Sequence, residues 1–268
     1  LWAWPFGVLA LLVAGWLAND AAGLARPFGR DWAARAGLAW FTGSGLAALG
    51  FFALSFAGVP WGFGAAAGLA AAVAAGSWAI LWLRAEPAGS DGGSSWSPRG
   101  PLPWDERVGV ALTVLAALLA VVQAFLTQQA WWNWDGWAIY DFKARVCFAA
   151  RGIPLAFLAD PLYKFANQAY PLGFQLVQAY LGSWAGGIGT PWLRLGSTLY
   201  YLALLGVFSH LVADLGARRH RWMLTALLAH VPFLVNQSSD GYMDLLVGPA
   251  MTAALALLSK APRGEAPA

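Results

Sequence analysis

The chain has 268 residues, of which 59% are hydrophobic and only 11% charged, with a formal net charge of +3. A soluble domain carries about 25% charged residues, so an ordinary soluble fold is excluded. The small net charge without a basic stripe gives no support for nucleic-acid binding. The single cysteine, Cys147, excludes an internal disulfide.

Several apolar runs reach the roughly 20 residues that a helix needs to cross a bilayer. Long unbroken runs are also unlike the alternating strands of about 10 residues in a membrane barrel. The fold expected is all-α: a polytopic helical membrane protein with about seven transmembrane helices. The chain starts at Leu1 with no basic segment before the first apolar run, so no signal peptide is expected. It is read as the N-terminal part of a longer protein.

In chain order, the expected spans are residues 1–18, 37–58, 62–83, 108–129, 191–213, 222–235 and 242–259. Asn19 and Asp20 close the first and Pro60 stops the second. Pro232 makes the boundary of the sixth uncertain, and Pro249 should kink the seventh. Residues 84–107 are rich in Gly, Ser and Pro, the composition of a flexible linker. They divide a three-span segment, residues 1–83, from a four-span core, residues 108–268. The abundant Ala and Gly suit close helix packing in lipid.

Orientation follows from the basic residues, which favour cytoplasmic loops. Of the 16 Lys and Arg, one set of loops holds Arg26, Arg30, Arg35, Arg84, Arg99, Arg107, Arg218, Arg219, Arg221, Lys260 and Arg263. The opposite set holds only Lys143, Arg145, Arg151, Lys164 and Arg194. Loop 130–190 and the short loop 236–241 should therefore share the outer side. That arrangement puts Asp135, Asp240 and Asp244 near one membrane surface.

Within the long loop, Trp137, Tyr140, Ala144, Cys147 and Phe148 recur at helical steps, and Gly152 with Pro154 supplies a stop. A second helix is expected from Pro171 to about Trp184. Both are expected to lie along the membrane surface, with the tryptophans at headgroup depth. Plain structural readings accompany these residues. Asp135, Asp160 and Asp240 can each cap a helix or turn, and Asp141 with Arg145 can form a surface pair. Asp244 lies one turn inside an apolar run, where an acid is costly and commonly functional. His210 and His230 read as hydrogen-bonded packing residues. No zinc-ligand spacing, phosphate loop or Ser-His-Asp arrangement is evident.

Four short motifs follow one another: Trp134-Asp135-Gly136-Trp137-Ala138-Ile139, Lys143-Ala144-Arg145, Tyr170-Pro171-Leu172 and Tyr242-Met243-Asp244-Leu245. Their order, over roughly residues 108–259, resembles the membrane glycosyltransferases of the GT-C superfamily. The resemblance is greatest to bacterial relatives of protein O-mannosyltransferases and aminoarabinose transferases. It implies transfer of a sugar from a polyprenyl-phosphate donor to an acceptor on the outer face of a bacterial inner membrane, with loop 130–190 periplasmic or extracellular. It maps the catalytic acid onto Asp135 and a further active-site acid onto Asp244 or Asp240. By chemistry, Lys143, Arg145 or Arg151 would stabilise the departing lipid phosphate. Trp134, Trp137, Tyr170 and Tyr242 are the candidate substrate contacts. Whether a divalent metal bridges Asp135 and Asp240 or Asp244 is left open by the sequence. The chain departs from the pattern in having three spans and a linker before the core-like part. The competing class is a transporter or lipid flippase subunit, and a noncatalytic scaffold is a third. Against transport, no internal repeat is evident and the acids sit near the membrane edge rather than at mid-depth.

Overall fold

The computed structural model describes residues 3–29, 31–84, 102–126, 135–240 and 244–258. All regular structure among them is helical. Helices α1 (Trp4–Ala22), α2 (Trp32–Phe56), α3 (Phe63–Leu83) and α4 (Trp104–Leu126) come first. A π-helical turn (Asp135–Asp141) then leads into α5 (Phe142–Ala150), α6 (Leu155–Ala159) and α7 (Gly173–Ala185). The chain continues with α8 (Thr190–Val212), α9 (Arg221–Ala229), α10 (Pro232–Asp240) and α11 (Asp244–Leu258).

Among the described residues, five helical runs are long and apolar enough to cross a membrane: α1, α2, α3, α4 and Leu195–Ala229. The expected sixth span is not one helix. It divides into α9 and α10, of nine residues each, at His230 and Val231, because the residue before Pro232 is disfavoured in α conformation. The expected seventh contains α11, described over 15 residues. The expected linker lies largely outside the described residues.

Local sequence explains the ends. Asp31 opens α2 by accepting the Ala34 N–H at 3.3 Å, which satisfies one of the free donors of the first turn. Gly23, at φ 75°, closes α1 in the left-handed conformation that glycine adopts without strain.

Lipid tails are as apolar as leucine, so helices here associate through close packing and hydrogen bonds. The crossing of α1 and α2 shows this. A Cβ on Gly15 would overlap the Ala39 carbonyl, and one on Gly43 would overlap that of Leu11. Helix α8 lies at the centre, packed against α2, α4, α9, α10 and α11. One core joins Phe51 and Trp40 of α2, Trp61 of the α2–α3 turn, Tyr180 of α7 and Tyr200 of α8. Residues of segment 1–83 and of the later helices both contribute to this cluster.

Helix α7 differs from expectation. It is not a surface helix, for every residue from Phe174 to Ser183 is buried. It packs against α1, α2, α3 and α5. Its sequence, GFQLVQAYLGSWA, is mainly apolar but sets Gln175 and Gln178 one turn apart, and both are buried with it.

Candidate functional site

The helix ends gather into two opposite groups. At one end, Arg35 pairs with Asp20 at 2.6 Å and Arg84 donates to the Ala21 carbonyl at 2.6 Å. Asp31 meets both Arg221 Nη1 at 3.1 Å and His210 Nδ1 at 3.3 Å. His210 Nε2 lies 3.4 Å from Asp214, and buried Glu106 accepts the Trp222 N–H at 3.1 Å. This end thus collects the close of α1, α3 and α8 and the start of α2, α4 and α9. Burial pushes the Asp31 carboxyl up. The His210 hydrogen bond, the Arg221 charge and the Ala34 N–H outweigh burial and hold it below the usual carboxylate value.

The far end follows by topology. Helix α4 runs away from Glu106 and α8 runs toward His210. Beyond α9, α10 continues to Asp240. Two contacts tie them there. Gln123, near the close of α4, lies 3.5 Å from Asn236 of α10, and Thr198 of α8 donates to the Ser238 carbonyl at 2.8 Å. Asp240 ends α10, Asp244 starts α11, and Asp135 opens the π-helical turn nine residues after Leu126. The backbones of all three acids therefore belong to this end. Their side chains, and that of Trp137, lie outside the described residues, as do Trp134 and Tyr242 entirely.

The candidate cations do not share one face. Lys143 is fully buried, donates to the Asn167 carbonyl at 2.5 Å and lies 5.8 Å from the Tyr170 ring centroid. Burial lowers its pKa. Arg145 is exposed and donates to the Ile188 carbonyl at 3.1 Å. Arg151, also exposed, donates to the Trp61 carbonyl at 2.7 Å, while its own carbonyl accepts the Trp61 N–H at 2.9 Å. Arg151 rather than Gly152 takes the left-handed cap of α5, at φ 52°. A non-glycine residue there is strained by roughly 1 kcal/mol, and the two bonds to Trp61 hold it. So Lys143 and Tyr170 come together, whereas Arg145 and Arg151 occupy separate positions.

A band of buried polar groups adjoins these residues. Asp141, 2% exposed, accepts from the Gln178 amide at 3.4 Å, and Gln175 is buried beside it on α7. Gln237, Ser238 and Ser239 are buried at the close of α10, with Ser197 and Thr198 on α8. The signal for this band was present in the sequence as two glutamines one turn apart in an apolar helix. Burying such groups is costly unless they are bonded.

Asp160 has the plain role expected of it and accepts the Leu162 N–H at 2.9 Å. The Cys147 thiol, one turn beyond Lys143, is pushed up to about 11 by burial, so it is not a thiolate near neutral pH. Among the described residues, no three His, Cys, Asp or Glu side chains converge as a metal site. Asp135 and Asp244, the candidate ligands, have side chains outside that set. No family model, no curated protein and no solved structure matches the chain.

Proposed function

We propose that the chain belongs to a membrane glycosyltransferase that moves a sugar from a polyprenyl-phosphate donor to an acceptor hydroxyl at the far end of the bundle. One observation carries the reading. The turn opened by Asp135, the close of α10 at Asp240 and the start of α11 at Asp244 all belong to that end. Buried polar groups of α5, α7, α8 and α10 line the same end.

The chemistry assigns one role to each group. The acceptor oxygen attacks the anomeric carbon and forms the new C–O bond as the bond from that carbon to the lipid phosphate oxygen breaks. Asp135 takes the hydroxyl proton as general base, and Asp240 or Asp244 completes the acidic site. The lipid phosphate leaves with both bonding electrons. Arg145 or Arg151, both exposed at this end, stabilises its charge. Lys143 is closed inside and instead braces Asn167 and Tyr170. Direct displacement inverts the anomeric centre. With eleven of the 16 Lys and Arg on the opposite set of loops, this end faces outward, across a bacterial inner membrane.

The decisive measurement is sugar transfer from a polyprenyl-phosphate donor by membranes carrying the full-length protein. Asp135→Asn should reduce turnover by roughly a hundredfold or more, with an unchanged size-exclusion profile. Undiminished transfer by the folded variant removes Asp135 as the base.

A further inference from the structure

A cavity of about 350 Å³ lies between α2, α4 and α8, toward the end that holds Asp31 and Arg221. We propose that it seats the hydrocarbon tail of an anionic membrane lipid, with the headgroup against the arginines where α8 turns into α9. This inference is independent of the sugar-transfer reaction, which belongs to the opposite end.

The lining dictates the occupant. Ala36 and Gly37 of α2, Val114 and Ala117 of α4, Leu202 of α8 and Trp222 of α9 present carbon to the cavity. The one hydroxyl on its wall, that of Thr113, is bound within its own helix to the Gly109 carbonyl at 2.8 Å. Trp40 also lines the cavity and its buried indole N–H has no hydrogen-bond partner, but ordered water needs two to four polar partners and a lone donor falls short of that. The volume falls in the range of about 300–1,000 Å³ usual for small-molecule sites. A transmembrane helix, roughly 10–12 Å wide, finds no room along the floor, where α2 meets α8 and α4 meets α9 directly. A Cβ on Gly37 would come within 2.6 Å of the Ala203 carbonyl oxygen, and one on Gly109 within 2.6 Å of the Trp222 backbone. The space that remains suits a flexible chain.

Charge selects the headgroup. Arg218, Arg219 and His220 are exposed in the turn before α9, and Arg107 is exposed on α4. The Arg221 guanidinium stacks 4.7 Å from the ring of Trp222, which lines the cavity. Most carboxylates of this end are engaged: Asp31 by Arg221 and His210, Asp214 by His210, Glu106 by the Trp222 N–H and Asp20 by Arg35, which leaves half-buried Asp105 on α4 against the four exposed basic side chains. The exposed rim is therefore basic and complements a phosphate diester. Arginines near a membrane surface each strengthen binding of anionic lipid by roughly fivefold.

The test is native mass spectrometry of the purified full chain, delipidated and then titrated with phosphatidylglycerol or phosphatidylcholine. The wild type should retain phosphatidylglycerol in preference to phosphatidylcholine. Ala36→Trp, which fills the cavity from an exposed position on its wall, should weaken that retention at least tenfold. Arg218→Gln with Arg219→Gln should weaken retention of phosphatidylglycerol alone, by roughly fivefold for each arginine removed. Should Ala36→Trp fail to fold, Ala117→Phe reads the same space from α4. Equal retention of the two lipids by the wild type, or full retention by a folded cavity-filled variant, overturns the proposal. So does a dimer that the cavity-filling substitution dissociates while no lipid is held.

Discussion

Asp31 does three things with one carboxylate: it caps α2, pairs with Arg221 and bonds His210. Asp31→Asn keeps an oxygen for the cap but leaves Arg221 without its partner. The pair is only partly shielded, so the cost should be about 2 kcal/mol, below the 3–5 kcal/mol typical of a fully buried pair broken on one side. It should appear as a drop of several degrees in Tm measured in detergent. The acid limb gives an independent check. The folded carboxyl is held below its ordinary value, so its contribution is complete above about pH 4 and is lost as pH falls through the lowered folded value. Asp31→Asn should therefore lose less stability than wild type across that acidic window. The sequence disclosed His210 and His230 only as hydrogen-bonded residues within spans. His230 bonds the Ala226 carbonyl at 2.8 Å, within its own helix. His210 finds Asp31 at a separation of 179 residues, and no local pattern encodes such a distance. The buried state of Lys143 was equally hidden, because its partner Asn167 lies 24 residues on.

Elements were legible where a long apolar run meets a stop. Helices α2, α3 and α4 each overlap an expected span almost wholly, since hydropathy and Pro60 act locally. Helix α7 was legible as a helix from Pro171 onward but not as an interior one, because burial depends on which helices surround it. The division of the sixth span was half visible in Pro232, whose effect on its neighbour is local. At this scale the crossing of α1 and α2 gives a paired test. Gly43→Val drives a side chain into the Leu11 carbonyl, whereas at Gly45, two residues away, nothing lies within 4 Å. The first should cost at least 1–3 kcal/mol, the usual range for overpacking, and shift the protein toward aggregate in size-exclusion chromatography after heating. Gly45→Val should elute as wild type. Equal behaviour of the two would mean that α1 and α2 do not cross at these glycines.

For the molecule as a whole, the grouping of loops by basic residues matches the way the helix ends gather. Arg35, Arg84 and Arg221, assigned to one side by their loops, all bond within one end. Arg145 and Arg151 bond at the other. Which end faces the cytoplasm is measurable. In a Cys147→Ser background, Lys164→Cys should react with a membrane-impermeant maleimide on intact cells, and Arg218→Cys only after permeabilisation. The reverse pattern would turn the molecule over and remove the outer acceptor from the proposed reaction. For the acids of the candidate site, the sequence supplies an expectation that they share one side, since loop charge and span count are what set sidedness. The network around Asp31, the cavity between α2, α4 and α8 and the polar band beside α7 were not legible, since each is made by residues from helices far apart in the chain.

The buried position of α7 also bears on how the chain is made. Its receptacle is formed by α1, α2 and α3 together with α5, and the first three leave the ribosome well before residue 173. A translocon that handled the later spans by themselves would release α7, with its two glutamines, beside no partner able to enclose it. Biosynthesis in chain order supplies the receptacle first, so the leading hairpins serve the later half as a resident chaperone.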